Sequence, residues 1–159
     1  MKTHIATMLI TLLVAATPVL AQETPQDAYN QFWASVKEGK LAQADEYLFP
    51  INNKEFLGQQ KAQLGINAEK LRSGDLSITV VDGKVQGDWA FLVVKISVTN
   101  NGKTDGSIQY EIMARDKTKW KLVFKQMAGD PSLNTFSAED FVTLEKWWQA
   151  NRSRYREKR

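Results

Sequence analysis

Apolar and polar residues alternate along three runs between Trp89 and Met127, and the rest of the chain reads as cover for this stretch. The runs are residues 89–98, 107–115 and 119–127. Each is rich in β-branched and aromatic residues with a period of two, which predicts half-buried antiparallel strands. Asn100, Asn101, Gly102, Asp105 and Gly106 break the first pair, and Asp116, Lys117 and Thr118 break the second, so hairpins are the expected connections.

The apolar pattern proposes a register, because a one-residue slip turns every side chain to the wrong face. Pairing residues whose numbers sum to 206 matches Val98 with Ile108, Ile96 with Tyr110 and Val94 with Ile112. It also sets Lys95 opposite Glu111, an opposite-charge pair of roughly 0.2 to 1 kcal/mol. Pairing those that sum to 234 matches Ala114 with Trp120, Ile112 with Leu122 and Tyr110 with Phe124. The uncharged face that results is expected to meet the core. It holds Ala90, Leu92, Val94, Ile96 and Val98, then Ile108, Tyr110, Ile112 and Ala114, then Trp120, Leu122 and Phe124. The opposite face is apolar at one end, with Trp89, Phe91, Val93 and Met113, and largely basic at the other.

Helical spacing brackets these strands. Thr24 reads as an N-cap with Pro25 at the first helical position and Asp27 near the positive end of the dipole. Ala28, Phe32, Trp33 and Val36 recur along one face until Gly39 ends the helix. A second helix is expected over residues 40–48 and a third over 53–64, broken at Gly65 and followed by a short turn. Leu76, Ile78 and Val80 then begin a strand that continues through a bulge at Asp82-Gly83 to a turn at Gly87-Asp88. After Met127, Ser137 is a plausible N-cap for a last helix, with Phe141, Leu144, Trp148 and Tyr155 on one side. That helix is long enough to lie across the apolar end of the outer sheet face. The fold class is α+β: N-terminal helices packed on an antiparallel sheet, plus a C-terminal helix.

Residues 1–21 change the picture of location. A basic start, a short apolar run and Val19-Leu20-Ala21 match a secretory signal peptide cleaved after Ala21. The run is too short to span a bilayer. No cysteine follows it to carry a lipid, so the mature chain is expected to be periplasmic or secreted. The remaining 138 residues suit one domain, residues 22–136, followed by the helix and basic tail of residues 137–159.

Composition then removes several chemistries. The single histidine, His4, leaves with the signal and there is no cysteine. A mature Ser-His-Asp or Cys-His nucleophile and a His- or Cys-liganded zinc are therefore excluded, and no metal or cofactor is expected. With Lys2 gone, 20 basic residues face 18 acidic ones, a balance that argues against a nucleic-acid partner.

The order of elements also resembles a family. Ala28-Tyr29-Asn30-Gln31-Phe32-Trp33 looks like the opening helix of the nuclear-transport-factor-2-like (NTF2-like) superfamily. The runs from Gly87 to Val94 and from Arg115 to Leu122 resemble its terminal hairpins. The likeness covers roughly residues 25–127. It implies a cystatin-like cone, a curved sheet wrapped against helices, often enclosing a pocket and often dimeric through the outer sheet face. The superfamily includes ketosteroid-isomerase-like and SnoaL-like polyketide-cyclase enzymes as well as non-catalytic exported domains, so fold alone does not fix function. Its enzymes usually place an Asp or His on the pocket face. On the face assigned above, only Tyr110 and Gln126 are polar.

Three readings follow. Phe32, Trp33, Tyr47, Tyr110, Trp120 and Phe124 either fill a core or line a pocket for a small apolar ligand. Tyr110, with Tyr29 or Tyr47 and a helix acid such as Asp27, Asp45, Glu46 or Glu55, would instead make an acid/base pocket. Trp89, Phe91, Val93, Met113 and Trp148 would form an interface, either with a protein partner or between two copies. The basic tail offers peripheral contact with an anionic surface. The leading reading is a non-catalytic exported binding domain for a small apolar ligand or a protein partner.

Overall fold

The computed structural model describes residues 23–50, 54–127 and 129–156. The expected signal peptide and the last three residues of the basic tail lie outside the described residues. Three helices come first: α1 (Pro25–Lys37), α2 (Leu41–Asp45) and α3 (Lys54–Ser73). Four strands follow, β1 (Leu76–Gln86), β2 (Trp89–Asn100), β3 (Lys103–Asp116) and β4 (Lys119–Val123), and the helix α4 (Ala138–Arg156) comes last. The strands form one antiparallel sheet in sequential order. The fold is α+β, as expected, with helices on both faces of the sheet.

Local chemistry starts the first and last helices. Thr24 and Asp27 form a reciprocal capping box: the Asp27 N–H donates to Thr24 Oγ1 at 3.1 Å and the Thr24 N–H to the Asp27 carboxylate at 3.2 Å. Ser137 Oγ accepts from the Asp140 N–H at 3.2 Å and caps α4. The break expected at Gly65 does not occur. α3 runs through it because a single helical glycine costs only about 1 kcal/mol, and Leu64 and Ala68 on either side are buried in the core. α2 is shorter than expected. Past it, Tyr47 to Phe49 run beside β4, bridged in parallel at Leu48 and Leu122.

The sheet's hairpins are tighter than the apolar pattern suggests, and this changes both registers. β2 and β3 are joined by two residues, Asn101 and Gly102, with φ of 51° and 76°. Positive φ at both central positions is the turn whose twist matches a hairpin. It pairs Phe91 with Ile112, Leu92 with Glu111 and Val94 with Gln109. Every pair sums to 203 rather than 206, an odd offset that inverts β3 against β2. Likewise Lys117 and Thr118 alone join β3 to β4, pairing Met113 with Leu122 and Arg115 with Trp120. The expected Lys95–Glu111 pair is not made; Ile108 stands opposite Lys95. The bulge in β1 is present, as a register shift between Val80 and Asp82.

Two apolar layers result. On the inner side, Ala90, Leu92, Val94, Met113, Trp120 and Leu122 bury against α1, α2 and α3. On the outer side, Trp89, Phe91, Ile112, Ala114 and Val123 bury against Leu133 and Leu144, with Phe136, Phe141 and Trp148 packed around them. Ile108, Tyr110, Ile112 and Ala114, expected on the inner face, all belong to the outer one. α4 is fastened at both ends. Trp89 Nε1 donates to the Ser137 carbonyl at 3.0 Å and Gln86 to Asp140 at 3.0 Å. Farther along, the Tyr155 hydroxyl and Arg154 Nη2 both donate to Asp82 Oδ2 at the bulge.

Candidate functional site

The corrected register carries two polar side chains of β3, Gln109 and Glu111, onto the inner face. Gln109 Nε2 donates to Glu111 Oε1 at 2.6 Å. Neighbouring strands place Val94 beside Gln109, Leu92 beside Glu111 and Val80 beside Val94, so the pair is set in an apolar floor. Burial pushes the Glu111 carboxyl up toward its neutral form, and the Lys125 charge and the Gln109 hydrogen bond only partly oppose this.

α1 supplies the other wall. Its apolar face buries Ala28, Tyr29, Phe32 and Val36. Burial of Tyr29, and the nearby Glu111 charge, hold its phenol well above the ordinary tyrosine range. Trp33, one turn on, meets Phe32 edge-on at 5.0 Å and Tyr29 at 6.3 Å. Trp33 eases that shift slightly, although no hydrogen bond from its indole N–H meets ordinary geometric limits. The Trp33 Nε1 atom is thus buried without a partner. A buried donor left unpaired costs about 1 to 3 kcal/mol.

Around this group the inner face is only partly covered. Trp33, Leu71, Ile78, Val80 and Ile96 pack against the core while remaining half-buried. Gln109 and Glu111 are half-buried as well. The arrangement offers an apolar surface with one unpartnered donor, one phenol and one carboxyl whose pKa burial raises.

The residues singled out by sequence divide between the faces. Phe32, Trp33, Tyr47 and Trp120 belong to the inner layer, with Phe32 and Trp120 buried. The Arg115 guanidinium lies 5.4 Å from the Trp120 ring centroid. Phe124 touches both layers. Tyr110 is on the outer face, stacked on Phe91 at 4.5 Å and tilted against Trp148 at 5.2 Å, with Lys125 Nζ 4.4 Å from its ring. Burial, and after it the charge of Glu145 on α4, raise the Tyr110 pKa. The expected inner-face grouping of Tyr110 with an acid of the N-terminal helices is not made, because the odd offset of β3 puts Tyr110 on the outer face, away from α1. Gln126 is exposed, in a short 3-10 turn after β4.

Of the expected interface group, Trp89, Phe91 and Val93 are buried within the chain, and α4 contributes to covering Trp89 and Phe91. Met113 is buried on the inner side instead. Trp148 stacks on Tyr155 at 6.0 Å. The apolar outer face, which suggested contact between copies, is thus satisfied inside one chain.

Glu111 and Gln109 are the inner-face residues that the apolar pattern missed, whereas Tyr29 was already named for the acid/base reading. The signal for the two β3 residues was the Asn101-Gly102 dipeptide, which fixes the turn and therefore the face of β3. Among the described residues no group of three or more His, Cys, Asp or Glu is placed to hold a metal ion. No described helix is long and apolar enough to cross a membrane.

No protein-family model matches the chain, and no curated protein matches it in sequence. Among solved structures, it is similar to a Campylobacter jejuni protein provisionally named an NTF2-like transpeptidase. That likeness has a TM-score of 0.47 and 14% sequence identity, covering 65% of this chain and 100% of the other.

Proposed function

We propose that this chain is an exported, non-catalytic binding domain that holds a small, mainly apolar molecule on the inner face of its sheet. The observation that carries the reading is the unpartnered Trp33 N–H beside Tyr29, on an apolar surface that the helices leave half open. Ligand sites are typically apolar with a few polar groups that fix orientation. Here two of the polar groups are donors, the Trp33 indole N–H and the Tyr29 phenol, which burial keeps protonated. The ligand therefore bears a hydrogen-bond acceptor, such as a carbonyl oxygen, on a compact apolar frame. Export rests on the pattern of residues 1–21.

Native mass spectrometry of the protein purified from its exporting host tests this reading. The expected result is a small-molecule adduct on the mature chain, which Trp33→Ala loses. Chain mass without an adduct, from wild type and variant alike, counts against it.

A second reading is favoured by one specific observation. The coupling of Tyr29 to Glu111 supplies a proton donor beside a desolvated carboxyl, the pairing that acid/base catalysis uses. In that reading Tyr29 replaces Tyr110, and the acid comes from the sheet rather than from a helix. A Glu111→Gln variant that keeps its ligand but leaves it unchanged chemically, where wild type converts it, distinguishes catalysis from binding.

A further inference from the structure

A second hollow lies apart from the inner-face cluster. A cleft of about 340 Å³ opens between the end of α2, the first half of α3 and the β3–β4 hairpin. Its floor is apolar. Leu48 and Phe49 are held there by the bridge to β4, and Leu57 reaches in from α3. Its rim is charged with both signs: Lys61 and Asp45 on one side, Lys121 and Asp116 on the hairpin.

The state of these charges suggests what they await. Lys61 Nζ pairs with Asp45 Oδ2 at 2.9 Å, with both side chains well exposed. Such a surface pair is worth at most about 1 kcal/mol and exchanges readily for another partner. Lys121 donates to the Glu46 carbonyl and has no carboxylate within 4.0 Å among the described residues. Asp116 has no basic partner within 4.0 Å among the described residues. The cleft thus presents a carboxylate and an ammonium, neither neutralised, above an apolar floor.

We propose that this cleft binds a free amino acid with an apolar side chain. The ligand ammonium meets Asp116, its carboxylate meets Lys121 with Lys61 in reserve, and its side chain lies on Leu48, Phe49 and Leu57. A wholly apolar molecule would desolvate these charges without replacing their water. A polyanion would meet two carboxylates on the rim. The volume sits at the lower end of the roughly 300 to 1,000 Å³ typical of ligand pockets, which suits one small molecule.

A chemical-shift titration of the native protein tests the assignment. The probes are L-leucine, N-acetyl-L-leucine, which lacks the ammonium, and L-leucinamide, which lacks the carboxylate. The expected result is saturable movement of the Phe49, Leu57 and Asp116 amide signals with leucine. Each analogue should bind about tenfold more weakly, equivalent to roughly 1.4 kcal/mol per lost charge contact. Asp116→Asn, with its fold checked by circular dichroism, is expected to bind leucine and N-acetyl-L-leucine alike. The proposal is overturned if leucine produces no saturable shift at these residues, or if wild type binds all three probes equally. Since the cleft is lined by none of Trp33, Tyr29, Gln109 and Glu111, either outcome leaves the reading of Trp33 and Glu111 where it stands.

Discussion

Glu111 is the residue whose environment departs furthest from what its type prefers. It is a carboxyl on an apolar sheet face, satisfied on one oxygen by Gln109 and held toward neutrality by burial. The sign of its effect on stability follows. Below the ordinary glutamate range, both folded and unfolded chains carry the proton and burial costs nothing extra. As pH rises above that range, the unfolded chain releases its proton first, so stability falls until the folded carboxyl ionises as well. Glu111→Gln keeps the acceptor for Gln109 and removes the titration. Urea denaturation at a series of pH values is expected to show the variant gaining on wild type as pH rises from about 4 toward neutrality. An offset that does not vary with pH would show that Glu111 is solvated in the folded chain.

Asp82 has the opposite sign. The Tyr155 hydroxyl, chiefly, holds its carboxyl below the ordinary range against the cost of burial, with help from the Gly83 N–H and Arg154. Its stabilisation is present above the ordinary aspartate range and is lost as pH falls through the lowered folded value. Tyr155→Phe removes the hydroxyl and is expected to cost about 1 kcal/mol, a modest figure because the site is largely solvated. Hydrogen exchange should quicken in the last turn of α4, and the pH dependence of stability in acid should flatten.

At the scale of elements, two glycines separate backbone need from tolerance. Gly102 has φ of 76° in the β2–β3 turn, where a side chain is strained whatever the space around it. Gly65 is helical, and a Cβ there meets nothing within 4 Å. Gly102→Ala is expected to destabilise by about 1 kcal/mol and Gly65→Ala to stabilise by a similar amount. Chemical denaturation of the two variants checks both signs. The same turn explains what could be read from sequence. Thr24, Pro25 and Asp27 announced α1, and Ser137 announced α4, because caps are local chemistry. The bulge at Asp82 and the turn at Gly87-Asp88 were legible for the same reason. Register was not, because gathering all apolar residues on one face assumes a sheet with one wet side. This sheet is covered on both sides, so both faces are apolar, and only the turn residues could discriminate.

Over the whole molecule, α1 to α3 cover one face of the sheet and α4 the other. The sequence pattern foresaw α4 crossing the outer face. It did not foresee that Tyr110 would join that layer while Glu111 faced α1, and the candidate site moved with that single inversion. Covering the outer face leaves the inner face half open near Trp33, Val80 and Ile96. The most direct test follows the five indole N–H signals by NMR during titration with acetophenone, an apolar ring bearing one carbonyl acceptor. The account predicts a saturable shift of the Trp33 signal, accompanied by the Glu111 side-chain carboxyl carbon, while Trp89 and Trp148 stay in place. A Trp33 signal that does not move, or movement confined to Trp148 on the outer layer, would contradict it.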